Sequence, residues 1–355
     1  MSDVKHQGAG QILGWTIALV CSANSPCAIA QITPDATLGM ESSVVAPNQI
    51  IQGLPSDRID GGAMRGANLF HSFSNFNTLE ERGAYFANPA GVENIISRVT
   101  GTNPSHLFGV LGVLGNANLF FLNPNGIVFG PNARLDVRGS FTASTSDRFR
   151  LNDGSEFSAV NPQAPPLLTV NVPLGLQHGA ARSNIVNQAN LTVGKDLTLH
   201  GESISSHGQL NAPNGILTVR STTGDVHLRS LTAQTATISA AQNLNLTESQ
   251  LLTAGDLTLH AQDTVRVRDT TNHPVRLQAG GQLLVQGDRT IDIFALNHRD
   301  SHLVSGRDMI LRSSSAVRGD AHYWAGGNIR IEQLDGSLGN LFSPYDPNGP
   351  RFPAD

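Results

Sequence analysis

The groups in this 355-residue sequence whose types and spacing could do chemistry are few, and each lacks a companion it would need. His298-Arg-Asp300 spells the triplet that carries the catalytic base of protein kinases, but neither a phosphate-cradling Gly loop nor Asp-Phe-Gly accompanies it. His298 and His302 stand at i and i+4, a spacing that puts two imidazoles on one helical face and suits a metal. On the strand-and-turn sequence around them they would diverge. Ser203, Ser205 and His207 come without a G-x-S-x-G elbow to lift a serine into a nucleophile's position, and they read as exposed strand positions. Arg318-Gly-Asp320, a tripeptide that some animal cell-surface receptors recognise, reads as a simple turn. The alternative class is a β-helix protein that binds polysaccharide, with Tyr323-Trp324 the best pair to stack on sugar rings, or a β-helix enzyme that degrades an acidic one. Such an enzyme would want Ca²⁺ held by clustered aspartates and a strong base on one face, whereas the aspartates here are dispersed among turns. No catalytic residue, metal ligand or cofactor is assigned.

What remains is the backbone that would have to position any site. Charged residues make up 14% of the chain, well under the roughly 25% of ordinary globular proteins. The net charge is -5, the only lysines are Lys5 and Lys195, and the arginines are scattered singly. That distribution offers no stripe for nucleic acid and no polybasic membrane patch. The 36 glycines, 18 prolines and only 5% aromatics, with abundant Ser, Thr and Asn, describe many turns joining short strands. The composition is all-β.

Residues 1–30 read as a signal peptide. Lys5 and His6 give a weak basic start, Ile12 to Ala23 an apolar run, and Ala28-Ile29-Ala30 a small-residue cleavage pattern that places the new N-terminus at Gln31. The run is too short to span a bilayer. Its removal takes away Cys21 and Cys27, the only cysteines, so the mature chain would form no disulfide in an oxidising compartment.

From about Asn190 the chain echoes itself. Gly194-Lys-Asp-Leu-Thr-Leu199, Asn214-Gly-Ile-Leu-Thr-Val219, Gly255-Asp-Leu-Thr-Leu259, Gly281-Gln-Leu-Leu-Val285, Gly306-Arg-Asp-Met-Ile-Leu311 and Gly327-Asn-Ile-Arg-Ile331 are each a turn followed by an apolar-x-apolar strand. Leu197, Leu217, Leu257, Leu283, Met309 and Ile329 are separated by 20, 40, 26, 26 and 20 residues, and Ala236-Thr-Ile238 divides the longest gap. The repeat is therefore about twenty residues with occasional six-residue insertions, a period that means a solenoid. Such short strands bury their apolar side only by stacking coil on coil, which points to a parallel β-helix with these residues buried. Upstream, from Ile32 to about Gln177, the rhythm is irregular, and this part reads as first coils plus a cap over the exposed end of the stack. The divisions are 31–178 for this capped region, 179–340 for the repeat coils and 341–355 for an irregular tail.

Within the irregular part lies Leu122-Asn-Pro-Asn-Gly-Ile-Val-Phe-Gly-Pro-Asn132. Asn123 at i, Pro124 at i+1 and Gly126 at i+3 fit a type I turn, with the Asn123 side chain able to bond its own backbone. Ile127 opens the next strand. From turn chemistry alone Asp would serve at position 125 as well as Asn. Pro213-Asn-Gly-Ile216 repeats four of these letters in an ordinary coil, which favours an architectural role.

The runs Asn94-Ile-Ile-Ser-Arg-Val-Thr-Gly101, Leu119-Phe-Phe-Leu-Asn-Pro-Asn-Gly-Ile-Val-Phe-Gly130, Arg138-Gly-Ser-Phe-Thr-Ala-Ser-Thr145 and Val172-Pro-Leu-Gly-Leu-Gln177 occur in one order. Together they resemble the N-terminal secretion domain of filamentous haemagglutinin-like exoproteins, the secreted halves of two-partner secretion systems. The family's Asn-Pro-Asn-Gly-Ile motif is matched at Asn123, Pro124, Asn125, Gly126 and Ile127; its Asn-Pro-Asn-Leu motif has only the divergent Asn88-Pro-Ala-Gly91. The resemblance implies a right-handed parallel β-helix, a non-enzymatic role, and a chain that crosses the periplasm unfolded. It also implies a cognate outer-membrane β-barrel transporter whose periplasmic domains read Asn123 to Ile127. The exported protein would act at the cell surface or outside it, on a host cell, a sister cell or a surface polysaccharide.

Overall fold

A computed structural model describes residues 31–151, 154–163 and 177–342. Residues 1–30, with Cys21, Cys27 and Ala30, lie outside the described residues, as do residues 172–176 of the last family motif and 343–355 of the tail.

Each repeat strand alternates. In Leu197–Gly201 the side chains of Leu197 and Leu199 are fully buried while Thr198 faces out, the pattern of a strand with one face on a core. Parallel pairing in register then sets the first apolar residue of every coil over that of the last. Leu69, Ile95, Leu119, Phe141, Leu197, Leu217, Ala236, Leu257, Leu283, Met309 and Ile329 form one continuous column. Two more columns face it. One runs Ile185, Ile204, Val226, Leu244, Val265, Ile291; the other runs Leu191, Leu210, Leu231, Leu251, Leu277, Leu303. All three converge on a single core. The chain is a parallel β-solenoid, as its sequence period predicts.

Ile329 departs from expectation. It is in register with Met309 but 47% exposed, because a rung is buried by neighbours on both sides and Ile329–Glu332 has a parallel partner on one side only among the described residues.

The opposite end is closed. Ile32–Pro34 and Ala63–Arg65 both run antiparallel against the first rung strand, Asn68–Phe76, and occupy an edge that would otherwise present unpaired N–H and C=O groups. Beside them, the hairpin Ser43–Ile51 and Leu54–Gly61 leads a second sheet continued in parallel by Gly83–Ala87, Val110–Leu114 and Arg134–Asp136. Phe73, Phe76, Phe86 and Phe121 fill the interior with edge-on and stacked contacts.

After Ser144 the chain leaves the solenoid, and the described residues before Ile185 form a three-stranded antiparallel flap, Arg148–Arg150, Glu156–Ser158 and Gln177–His178. Its Phe149 and Phe157 pack on Phe70, Ile96 and Leu122, which point out of the tube, making a second core. Strands under the flap are therefore buried on both faces, and their sequences lose the simple apolar-polar alternation of a half-exposed strand.

Candidate functional site

Asn123 to Ile127 sits at a corner of the solenoid where three coils meet. The Gly126 N–H donates to the Asn123 carbonyl at 3.2 Å, which closes the type I turn expected from sequence. Asn123 Oδ1 accepts the Asn125 N–H at 2.9 Å, the local side-chain bond that Asn at position i supplies. Gly126 has φ +120, and a Cβ there would come within 3.1 Å of Ser183 Oγ; both facts favour Gly.

The turn is also a rivet. Asn123 Nδ2 donates down to the Asn103 carbonyl at 3.0 Å and Ser105 Oγ at 2.9 Å, while its backbone N–H donates up to Ser144. Asn125 Nδ2 donates to the Gly101 carbonyl at 2.7 Å and to Asn123 Oδ1 at 3.1 Å. From the coil above, Ser183 Oγ donates to the Asn125 carbonyl at 3.1 Å. Asn123 and Ile127 are fully buried, Pro124 and Gly126 are buried, and Asn125 is half-buried. An aspartate at 125 could keep the turn but could not donate to Gly101, so turn chemistry alone misjudges that position. The comparison with Pro213-Asn-Gly-Ile216 fails as well. Ile127 lies on an inner column, whereas Ile216 is 53% exposed and precedes the column residue Leu217.

Two sets of residues escaped sequence reasoning. Asn94 Nδ2 donates to Asn68 Oδ1 at 3.0 Å, Asn118 Nδ2 to Asn94 Oδ1 at 2.9 Å, and the Ser140 N–H to Asn118 Oδ1 at 2.9 Å. This ladder knits the four rungs around the turn, and its signal was an Asn immediately before each of Leu69, Ile95 and Leu119. Arg98 is the second. Fully buried, it donates to Ser72 Oγ, the Ser158 carbonyl, Thr37 Oγ1 and the Gln163 carbonyl at 2.8–3.0 Å. Burial lowers its pKa to about 10. Burial also pushes the Asp35 carboxyl up, but hydrogen bonds from Thr100, Thr37 and Ser72 outweigh it and bring the net shift down.

The chemical spacings resolve into architecture. The His298 ring accepts the Asp300 N–H at 3.1 Å in a loop, while His302 opens the strand His302–Ser305. Among the described residues no three His, Cys, Asp or Glu side chains come close enough to hold a metal. Ser205 Oγ and His207 Nε2 are 3.1 Å apart on the outward face of a strand paired with neighbours on both sides. Arg318-Gly-Asp320 is no turn: it lies inside the strand Val317–Ala321, with Asp320 buried. The dispersed aspartates cap successive turns, for Asp196, Asp256 and Asp308 each accept the N–H of a residue one coil on, Ile216, Gln282 and Asn328, at 2.7–2.9 Å.

A stacked solenoid with a covered first rung and a buried Asn-Pro-Asn-Gly-Ile corner is the setting in which the comparisons fall. The family model of the TPS secretion domain matches residues 30–331, and the chain belongs to that family. A heme/hemopexin-binding protein of Haemophilus influenzae is 25% identical over 223 residues, which cover 60% of this chain and 21% of that protein; the chain thus spans about a fifth of that relative. The HMW1 secretion domain of Haemophilus influenzae aligns over 85% of this chain and 81% of its own at 15% identity, with a TM-score of 0.45. The filamentous hemagglutinin secretion domain aligns over 88% and 99% at 16% identity, with a TM-score of 0.32.

Proposed function

We propose that this chain is the exported partner of a two-partner secretion system and that Asn123 to Ile127 and its flanks are read by a cognate outer-membrane β-barrel transporter before the chain folds. The observation that carries this reading is concealment. Four of the five motif residues are buried in the folded chain and the fifth is half-buried, so a partner can read the motif only while the coils around it are unformed. Folding then removes the recognition element and releases the chain. Residues 31–178 are the part the transporter engages, and coils 179–340 follow by stacking on rungs already formed. Cleavage after Ala30 fits the same scheme: the Gln31 carbonyl already accepts the Asn77 N–H at 2.8 Å, and pairing with Asn68–Phe76 begins at Ile32. The exported protein acts without catalysis, as an interaction surface at or beyond the cell surface.

The test compares variants matched for stability. Asn123→Ala and Leu257→Ala are each expressed with the cognate barrel, and released protein is measured beside the unfolding midpoint of the purified variant. Asn123→Ala should lose more export than Leu257→Ala for the same fall in midpoint. Equal export at equal midpoints would remove Asn123 to Ile127 as a recognition element.

A further inference from the structure

The solenoid is not uniform along its length. Between Leu257 and Met309 the coils are 26 residues long rather than 20, and the extra residues lie at one corner. There Asp269, only 5% exposed, accepts the His298 N–H at 2.8 Å, Asn297 Nδ2 at 2.9 Å and Ser301 Oγ at 2.7 Å. The carboxylate fixes the loop Leu296–Ser301 as a wall beside the outer face of three strands, Gln250–Thr253, Arg276–Ala279 and His302–Ser305.

Register sets which side chains form the floor. Gln250, Arg276 and His302 make one outward rank. Leu252, Gln278, Val304 and Trp324 make the next. The wall and the first rank enclose a groove, and Trp324, 55% exposed, stands at its end with its ring 6.1 Å from that of His302. The cations here are incompletely used. Arg276 and Arg299 reach Asp300 only at 3.5 and 3.7 Å, longer than the roughly 2.7–2.9 Å of a charge-assisted hydrogen bond. Arg276 Nε is buried without a hydrogen-bond partner, and Arg299 is 91% exposed.

We propose that this groove binds an acidic polysaccharide strand lying across the rungs, with carboxylates on Arg276 and Arg299, hydroxyls on Gln250 and Gln278, and sugar faces on Leu252 and Trp324. Rungs about 4.8 Å apart offer repeated contacts at close to the spacing of successive sugar rings. Planar guanidinium forks suit carboxylates, and an exposed indole supplies an apolar plate with a polar tip. A neutral glycan would leave both arginines unused. The site is distinct from the secretion motif and does not depend on that reading.

Affinity electrophoresis of the exported full chain tests it, with polygalacturonate in the gel and fully methyl-esterified pectin and dextran sulfate as comparisons. Polygalacturonate should retard the protein and the methyl ester should not. Trp324→Ala and Arg276→Gln should each weaken retardation on the order of tenfold, the effect of losing a contact of about 1.4 kcal/mol, with unfolding midpoints unchanged. Arg229→Gln, outside the groove lining and paired with Glu248 at 3.3 Å, should match the parent chain. The proposal fails if polygalacturonate gives no retardation, or if Arg229→Gln weakens it as much as Arg276→Gln. It also fails if Trp324→Ala is retarded like the parent in polygalacturonate, or if dextran sulfate reproduces the whole effect, since charge alone would then explain it.

Discussion

The guanidinium carbon of Arg98 lies 4.1 Å above the centre of the Phe157 ring. One residue belongs to a solenoid rung and the other to the flap, so this contact and the two carbonyls that Arg98 reaches at Ser158 and Gln163 join two separately built layers. Desolvating a guanidinium is costly, and here the cost is offset by four hydrogen bonds and an aromatic face.

Arg98→Met should therefore destabilise the chain by on the order of 3 kcal/mol, because an apolar side chain takes the donor away from the buried Ser158 carbonyl and Ser72 hydroxyl. Urea unfolding of the two proteins side by side reads this directly. A midpoint within error of the parent would show that the flap is held by Phe149 and Phe157 alone.

At the turn, Asn125→Asp should cost about 1–3 kcal/mol, since a carboxylate cannot donate to Gly101 and is set against Asn123 Oδ1. Asn214→Asp, at an exposed position where the pairing register shifts, should change the midpoint little. Thermal unfolding of both variants decides the matter, and equal shifts would contradict the rivet role of Asn125.

The column predicts a gradient. Leu257→Ala, at a fully buried position, should cost about 2–5 kcal/mol, whereas Ile329→Ala should cost under about 1 kcal/mol because nearly half of that side chain is already in water. Comparable losses at the two sites would mean that the last rung is covered in solution.

Stability should fall in acid before the carboxylates titrate. Burial lowers the His71 imidazole to about 3, and burial with Arg220 nearby lowers His200 to about 4, against roughly 6.5 unfolded. Between pH 6.5 and about 4 the unfolded chain therefore takes up protons that the folded chain refuses. Each histidine's contribution is complete above pH 6.5 and declines by about 1.4 kcal/mol per pH unit below it. Midpoints measured from pH 8 to 4.5 should be level and then drop, and His71→Gln should flatten the drop. An unchanged slope would show that His71 is protonated in the fold.

The exported protein should begin at Gln31 and contain no disulfide. N-terminal sequencing and intact mass of released material check both, and a product retaining Cys21 or Cys27 would overturn them.

The coils from Leu197 onward were legible in the sequence because their outer faces meet water, so apolar and polar residues alternate and the turn before each strand recurs. Upstream the same column continues through Leu69, Ile95, Leu119 and Phe141, but the flap buries the outer face and erases the alternation. Ala236 weakened the echo for a different reason: a small residue fills a column place without looking like core. The turn at Asn123 was readable from local chemistry. Its partners Gly101, Asn103, Ser105 and Ser183 were not, because nothing in a five-residue window reports which coils will lie above and below it. For the same reason Arg98 passed as one more scattered arginine.

The six-residue corner insertions leave the inner column undisturbed: Leu257, Leu283 and Met309 stay in register although the chain between them is longer. A solenoid of this kind keeps its reading frame in space rather than along the chain. Length added at a corner is absorbed where it enters, and the next rung restarts from the one beneath it, much as a typesetter's line restarts at the margin. Variation in the outer loops is thereby uncoupled from folding, so walls such as Leu296–Ser301 can be lengthened, exchanged or grafted without renegotiating the core.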